Sequence, residues 1–229
     1  MSAKPGDGAA ARAWDVEYEA GRYRAEPPLP FVTDILDGAR EHDLIGREGL
    51  YIGCGNGRNY LPLIAGGLDL VGLDVSATAI AQLAERAPER AARLIHGDLT
   101  ALPACATYAL VIGLQVFQHG DRATAHEHVR SAQARLLPGG LFCLRVNAVG
   151  TELEYAHDII ERDSDGSFTV RYRDGPKRGL DIHFFTAGEL DALFEGYGPL
   201  IAPRLARMWR RPPKRGQWSQ WEAIWCKLA

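Results

Sequence analysis

Between residues 48 and 147 the chain alternates short apolar runs with amphipathic stretches. The apolar runs are "GLYIGCG", "LDLVGLDV" (68–75), "RLIHGD" (93–98), "YALVIGLQVF" (108–117) and "LFCLRVN". Each has the length of a strand, and the fourth is apolar enough for burial on both faces. Between them, Ile80, Leu83, Ala84 and Ala87 recur at i, i+3, i+4, i+7, and Ala125, Val129, Ala132 and Leu136 form a second stripe, so both segments predict helices with one buried face. "RNYLPLIAGG" predicts a short helix, with Pro62 near its start where a missing N–H does least harm. Strands spaced by helices imply βαβ units and a doubly wound, mostly parallel sheet. Such a sheet binds ligands outside the carboxyl ends of its strands, where the strand order reverses.

The flanks follow other patterns. Residues 1–13 are small and polar and read as a mobile tail. Trp14 and Tyr18 share a helical face, "EPPLP" (26–30) breaks the chain, and residues 31–40 resume helical periodicity. After residue 148 two alternating segments surround Asp174-Gly175, a plausible hairpin. Thr186 with Glu189 three residues on predicts a capping box, followed by an apolar face of Leu190, Leu193 and Phe194. The C-terminal segment reads as two strands joined by a basic loop with Arg210, Arg211, Lys214 and Arg215. The chain thus reads as one domain, 1–229. Residues 1–40 form a cap or lid, 45–147 the ligand-binding core, 148–185 an inserted hairpin covering the substrate, and 186–229 a closing helix and strands.

Composition narrows the class. Apolar residues make up 46% and charged residues 24%, enough for a packed core, and the net charge of −3 argues against general nucleic-acid binding. The basic loop reads as a solvated turn. Cys54, Cys105, Cys143 and Cys226 lie far apart without a CxxC pair, and Cys143 and Cys226 read as small core residues. The N-terminus lacks an apolar signal core and no stretch suits a membrane span, so a soluble cytoplasmic protein, monomer or homodimer, is expected.

The chemistry begins at "YIGCGNGRNY", where Gly53, Gly55 and Gly57 fall within five positions after a strand. Glycine in a regular element is unfavourable by roughly 0.5–1 kcal/mol relative to Ala, so three in one turn imply close backbone approach to a ligand. A dinucleotide-binding turn requires GxGxxG, and here the sixth position is Arg58, which argues against a nicotinamide oxidoreductase. Asp74 ends the second strand, where a carboxylate can accept both hydroxyls of a ribose. Asp98 ends the third, suited to an exocyclic amine, and Leu99 can offer its N–H to a ring nitrogen. Either aspartate alone is a common strand-end turn residue; together, beside a glycine turn, they describe an adenosine site.

"YIGCGNGRNYLPL", "VGLDVS", "HGDLTALP", "YALVIGLQVFQH" and "LLPGGLF" resemble, in order and spacing, the motifs of class I S-adenosylmethionine-dependent methyltransferases. "GCGNGRN" and "HFFTAGELDALFEGY" look most like the tellurite-resistance and thiopurine-type branches, which act on small molecules. The resemblance implies a Rossmann-like, seven-stranded α/β sheet with an antiparallel last strand. It implies S-adenosylmethionine as cofactor, with Gly53, Gly55 and Gly57 along the methionine moiety, Asp74 at the ribose and Asp98 at the adenine amine. Cys54, Val75, Leu99 and Gly113 complete the expected cofactor contacts. The family's usual acidic residue two places before the first glycine is Tyr51 here.

Methyl transfer from a sulfonium needs the acceptor aligned at about 3–3.5 Å and water excluded. A hydroxyl or amine acceptor also needs a proton removed. Gln115 and His119, after the fourth strand, should face the methyl end, with His119 a candidate base and Gln115 an orienting group. His183 lies in the expected substrate cover and is a third catalytic candidate. Trp14, Tyr18 and Tyr23 are candidates for the lid and, with Gln115 and His183, for acceptor binding. His126 and His128 are two apart on a helix, so they face apart and do not suggest a metal pair. The alternatives are a non-catalytic S-adenosylmethionine-binding protein, an NAD-dependent oxidoreductase or an RNA methyltransferase.

Overall fold

The computed structural model of the chain describes residues 7–210 and 215–228. Its centre is a seven-stranded sheet of β1 (Glu48–Ile52), β2 (Asp69–Asp74), β3 (Leu94–His96), β4 (Tyr108–Leu114), β5 (Leu136–Asn147), β9 (Tyr197–Trp209) and β10 (Gln217–Lys227), in the order β3-β2-β1-β4-β5-β10-β9. The first five strands are parallel. β10 inserts antiparallel between β5 and β9, so the last strand of the chain is the reversed one. Every residue of β4 is buried, as its unbroken apolar run requires of a central strand covered on both faces.

One face is covered by α2 (Phe31–Glu41), α3 (Tyr60–Ala65) and α4 (Ala77–Arg86), through Phe31, Ile35, Leu63 and Leu83. The other is covered by α5 (Arg122–Gln133) and α6 (Ala187–Leu193), through Ala125, Val129, Ala132, Leu190 and Leu193. Trp225 of β10 stacks on Phe194 with ring centroids 3.7 Å apart, closing that core. The predicted capping box of α6 is present, Thr186 and Glu189 bonding each other's backbone.

A second, antiparallel sheet holds β6 (His157–Arg162), β7 (Phe168–Tyr172) and β8 (Asp181–Phe184) around a small core of Val170, Tyr172, Ile182 and Phe184. Single bridges join Ile182 to His119 and Phe185 to Ala148. These attach the small sheet beside the carboxyl ends of β4 and β5, the ligand-binding edge of a parallel sheet.

Four expectations need correction. Residues 7–13 are not a tail: α1 (Asp7–Glu19) already includes them, because "GAAARA" is rich in helix-favouring alanine and Trp14 and Tyr18 anchor the helix. Strand β4 stops at Leu114, since Gln115 takes φ +64° and leaves the extended conformation. Leu136 opens β5 rather than ending α5. β6 was not foreseen, because Ile159 and Ile160 are adjacent, both are exposed, and they give no alternation. Arg211 and Lys214 of the basic loop lie outside the described residues.

Candidate functional site

The strand order reverses between β1 and β4, and residues 53–57 lie just beyond the end of β1. Gly53, Gly55 and Gly57 have φ of +72°, +56° and +95°. A side chain at any of them is both strained and crowded: a Cβ would stand 3.0 Å from Val116, 2.5 Å from the Tyr18 hydroxyl and 2.6 Å from Leu83, respectively. The loop is pinned to β2. Gly53 and Cys54 N–H groups donate to the Leu73 carbonyl, and Gly55 N–H donates to Asp74 Oδ2 at 2.8 Å. Ser76 N–H donates to Asp74 Oδ1 at 2.9 Å. Asp74 is buried, and burial raises its pKa despite those two bonds. Asp98 is exposed and accepts from Thr100 N–H and Oγ, opening a one-turn 3₁₀ helix that begins at Leu99. The Val75 carbonyl bonds the His96 ring.

The N-terminal segment lies on this loop. Tyr18 is 7% exposed, with its hydroxyl against Gly55 and its titration pushed up by burial and then by Asp74. Gln82 Nε2 donates to the Tyr18 carbonyl, and Asn56 Nδ2 donates to the Arg22 carbonyl. Asp15 accepts from Ser76 Oγ at 2.6 Å and Thr78 N–H at 3.1 Å, at the N-terminus of α4. Trp14 meets His119 edge-on at 5.8 Å. Tyr23 takes φ +62°, beneath the guanidiniums of Arg22 and Arg58. The structure therefore gathers Trp14, Tyr18, Tyr23, the glycine loop and His119 in one place.

On the β4 side, Gln115 N–H donates to the Arg145 carbonyl, and Gln118 Nε2 donates to the Gln115 carbonyl. Burial, then Lys177 and His128, push His119 down to about 3. A base that weak is poorly matched to neutral pH, so His119 is suited to packing and hydrogen bonding rather than to taking a proton. Lys177, in the loop between β7 and β8, was not anticipated. Burial and Arg22 push it down to about 8, with Glu17 opposing. Nothing in the local sequence marked it, since its neighbours come from the N-terminal segment.

Three expected site residues have other duties. His183 is fully buried: its Nδ1 lies 2.9 Å from Thr169 Oγ1 and its Nε2 3.0 Å from Glu189 Oε1, and its ring packs edge-on against Phe185. It is tied into the core and presents no free nitrogen to a substrate. Gly113 makes room for Phe117, which would lie 2.1 Å from a Cβ there. The Cys54 side chain is buried against β2, near Gly72, its thiol pushed up by burial. His126 and His128 do diverge, but His126 joins His183 and Glu189 in a group whose ligand-type atoms lie within 4.8 Å of one another. Arg122 Nε donates to the same Glu189 oxygen at 2.9 Å, so the carboxylate is engaged by a guanidinium.

Residues 50–140 match the family model described as a methyltransferase domain. The matched stretch runs from β1 into β5, and the sheet order is that of the Rossmann-like methyltransferase fold. TehB from Haemophilus influenzae shares the fold at 16% identity and a TM-score of 0.64, over 92% of this chain and 66% of that one, just under two thirds of its length. The 1,6-didemethyltoxoflavin-N1-methyltransferase of Burkholderia thailandensis, solved with 1,6-didemethyltoxoflavin and S-adenosylhomocysteine, aligns over all of this chain and 92% of its own (17% identity, TM-score 0.66). CalS10 from Micromonospora echinaspora, an amino pentose methyltransferase solved with S-adenosylmethionine, aligns over 90% of this chain and 96% of its own (21% identity, TM-score 0.55). No curated protein matches the sequence significantly. Among the described residues no helix is long and apolar enough to cross a membrane.

Proposed function

We propose that this methyltransferase domain binds S-adenosylmethionine on residues 53–57 and transfers its methyl group to a small-molecule acceptor. The observation that carries the reading is the glycine loop at the switch point of the sheet, its Gly55 N–H held by the buried Asp74 carboxylate. The residues fit the cofactor. Glycines open the backbone to a ligand, Asp74 suits ribose hydroxyls, and Asp98 with Leu99 N–H suits an adenine edge. The cofactor supplies an electrophilic methyl on a sulfonium, and the protein's task is alignment and dryness. Trp14, Tyr18 and Tyr23 provide the apolar cover, Trp14 reaching His119, and Gln115 follows the end of β4. A ligand resting on Gly55 takes the position of the Tyr18 hydroxyl, so α1 must yield for it to enter. For a hydroxyl or amine acceptor, Lys177, close enough to His119 and Arg22 for their charges to couple, is the group proposed to take the proton.

The test is calorimetry with S-adenosylmethionine, S-adenosylhomocysteine and NADH, followed by a methyl-transfer assay over a small-molecule panel. Binding of the first two and turnover of a panel member is expected. NADH binding alone overturns the reading, and cofactor binding without any turnover leaves a binding protein.

A further inference from the structure

A buried arginine at the carboxyl end of β5 keeps one nitrogen without a partner. Arg145 is 1% exposed, and in the sheet it lies beside Leu114, the last residue of β4, and opposite Glu222 of β10. Its Nε donates to Glu222 Oε1 at 2.9 Å, its Nη2 reaches only the Met208 thioether at 4.0 Å, and its Nη1 is unpartnered. Glu222 is already shared, since its other oxygen accepts from Arg204 at 3.1 Å. Burial weakens the Arg145 guanidinium, Glu222 offsets part of that, and Arg58 weakens it further. The partners of Arg58 and Arg204 are Glu26 and Asp34, with side chains 49% and 32% exposed and therefore screened by water. In the interior Arg145 thus meets the Glu222 carboxylate through Nε alone, and its Nη1 is left without a partner. Glu222 answers the charge of Arg145 through Nε, and the free Nη1 N–H offers a second, charge-assisted hydrogen bond to an anionic oxygen.

The surrounding backbone is strained. Gln115 and Tyr23 are two of only three non-glycine residues with positive φ among those described, and the Gln115 N–H bonds Arg145's own carbonyl at 2.6 Å. Tyr23 lies within electrostatic reach of the guanidinium. Strain of this kind collects at binding sites.

We propose that Nη1 of Arg145 holds a carboxylate of the methyl acceptor, which makes the acceptor a small carboxylic acid. The inference rests on the reading of residues 53–57 as the cofactor loop, because that places the end of β4, and Arg145 next to it, on the acceptor side. The guanidinium fork matches a carboxylate in geometry as well as charge.

The test uses the full chain with and without S-adenosylhomocysteine. It is titrated with a panel of carboxylates, each paired with its carboxamide, beginning with benzoate and benzamide. At least one acid should bind and raise the melting temperature while its amide does not. Arg145→Met combined with Glu222→Met removes the buried pair together, which keeps the core neutral and foldable. That variant should lose at least tenfold in affinity for the acid and keep its affinity for S-adenosylhomocysteine within about twofold. Three results overturn the proposal: no acid preferred over its amide, an acid bound equally by the double variant, or a loss confined to S-adenosylhomocysteine, which gives Arg145 to the cofactor. Failure of the native chain to bind S-adenosylhomocysteine strikes the cofactor reading instead, and the acid arm run without it still decides the role of Arg145.

Discussion

Asp74 does two things at once. It accepts the N–H groups of Gly55 and Ser76, which shapes the glycine loop, and it stands where a ribose is expected. Asp74→Asn keeps one acceptor oxygen for the loop and removes the charge. Hydrogen bonds to charged groups are worth about 1.5–3 kcal/mol, so S-adenosylmethionine affinity should fall roughly 10- to 100-fold, with the melting temperature much less affected. Calorimetry and a melting curve on one preparation separate the two, and unchanged affinity removes Asp74 from the cofactor site. Lys177 gives a second prediction. Its pKa of about 8 means its free base grows as pH rises through 8. For a hydroxyl or amine acceptor, kcat should climb across that range in the native enzyme. Lys177→Met should abolish the climb, while a pH profile with an unaltered limb in that variant assigns the proton transfer elsewhere.

The N-terminal helix was visible in the sequence only from Trp14 onward, and the lid expected of it came from the family resemblance rather than from its own spacing. Trp14 and Tyr18 have the spacing of a packing face, but that spacing does not say what the face meets. In the structure it meets His119 and Gly55, and Asp15 bonds the start of α4. Removing residues 1–24 should therefore leave the sheet folded and abolish turnover, because water reaches the sulfonium and the acceptor loses its cover. Cofactor affinity should be kept or improved, since Tyr18 no longer rests on Gly55. The comparison of cofactor affinity with methyl-transfer rate decides it, and undiminished turnover would show the segment to be packing alone. At the opposite side of the small sheet, Glu189 of α6 ties α5 and β8 through Arg122, His126 and His183. The capping box gave Glu189 a local role in the sequence. The three partners lie 6 to 67 residues away and were not legible.

Glu189 and His119 set how the whole molecule responds to acid. Hydrogen bonds from His126 and His183 and the Arg122 guanidinium outweigh burial and hold the Glu189 carboxyl well below its ordinary 4.5. A depressed carboxylate contributes stability that is complete above its unfolded pKa and is lost as pH falls below it. His119 acts in the same direction over a higher range: it is neutral in the fold to about 3, while the unfolded chain takes up the proton near 6.5. Stability should decline below pH 6.5 and more steeply below 4.5. In urea titrations Glu189→Gln should be less stable at pH 7 and should flatten the limb below 4.5, whereas a variant with the native acid slope refutes this account. Across the molecule, the sequence by itself determined the strand–helix alternation, the glycine loop, Asp74, Asp98 and hence the methyltransferase reading, because each is encoded by near neighbours: periodicity, turn chemistry and strand ends. Only the tertiary structure decided that β10 inserts between β5 and β9, that His183 is a core tie and Gly113 a packing glycine, that Lys177 lies within electrostatic reach of His119 and Arg22, and that Arg145 is buried with a nitrogen to spare. Burial, pKa and hydrogen-bond satisfaction belong to groups brought together from distant positions, and no local pattern records who those partners will be.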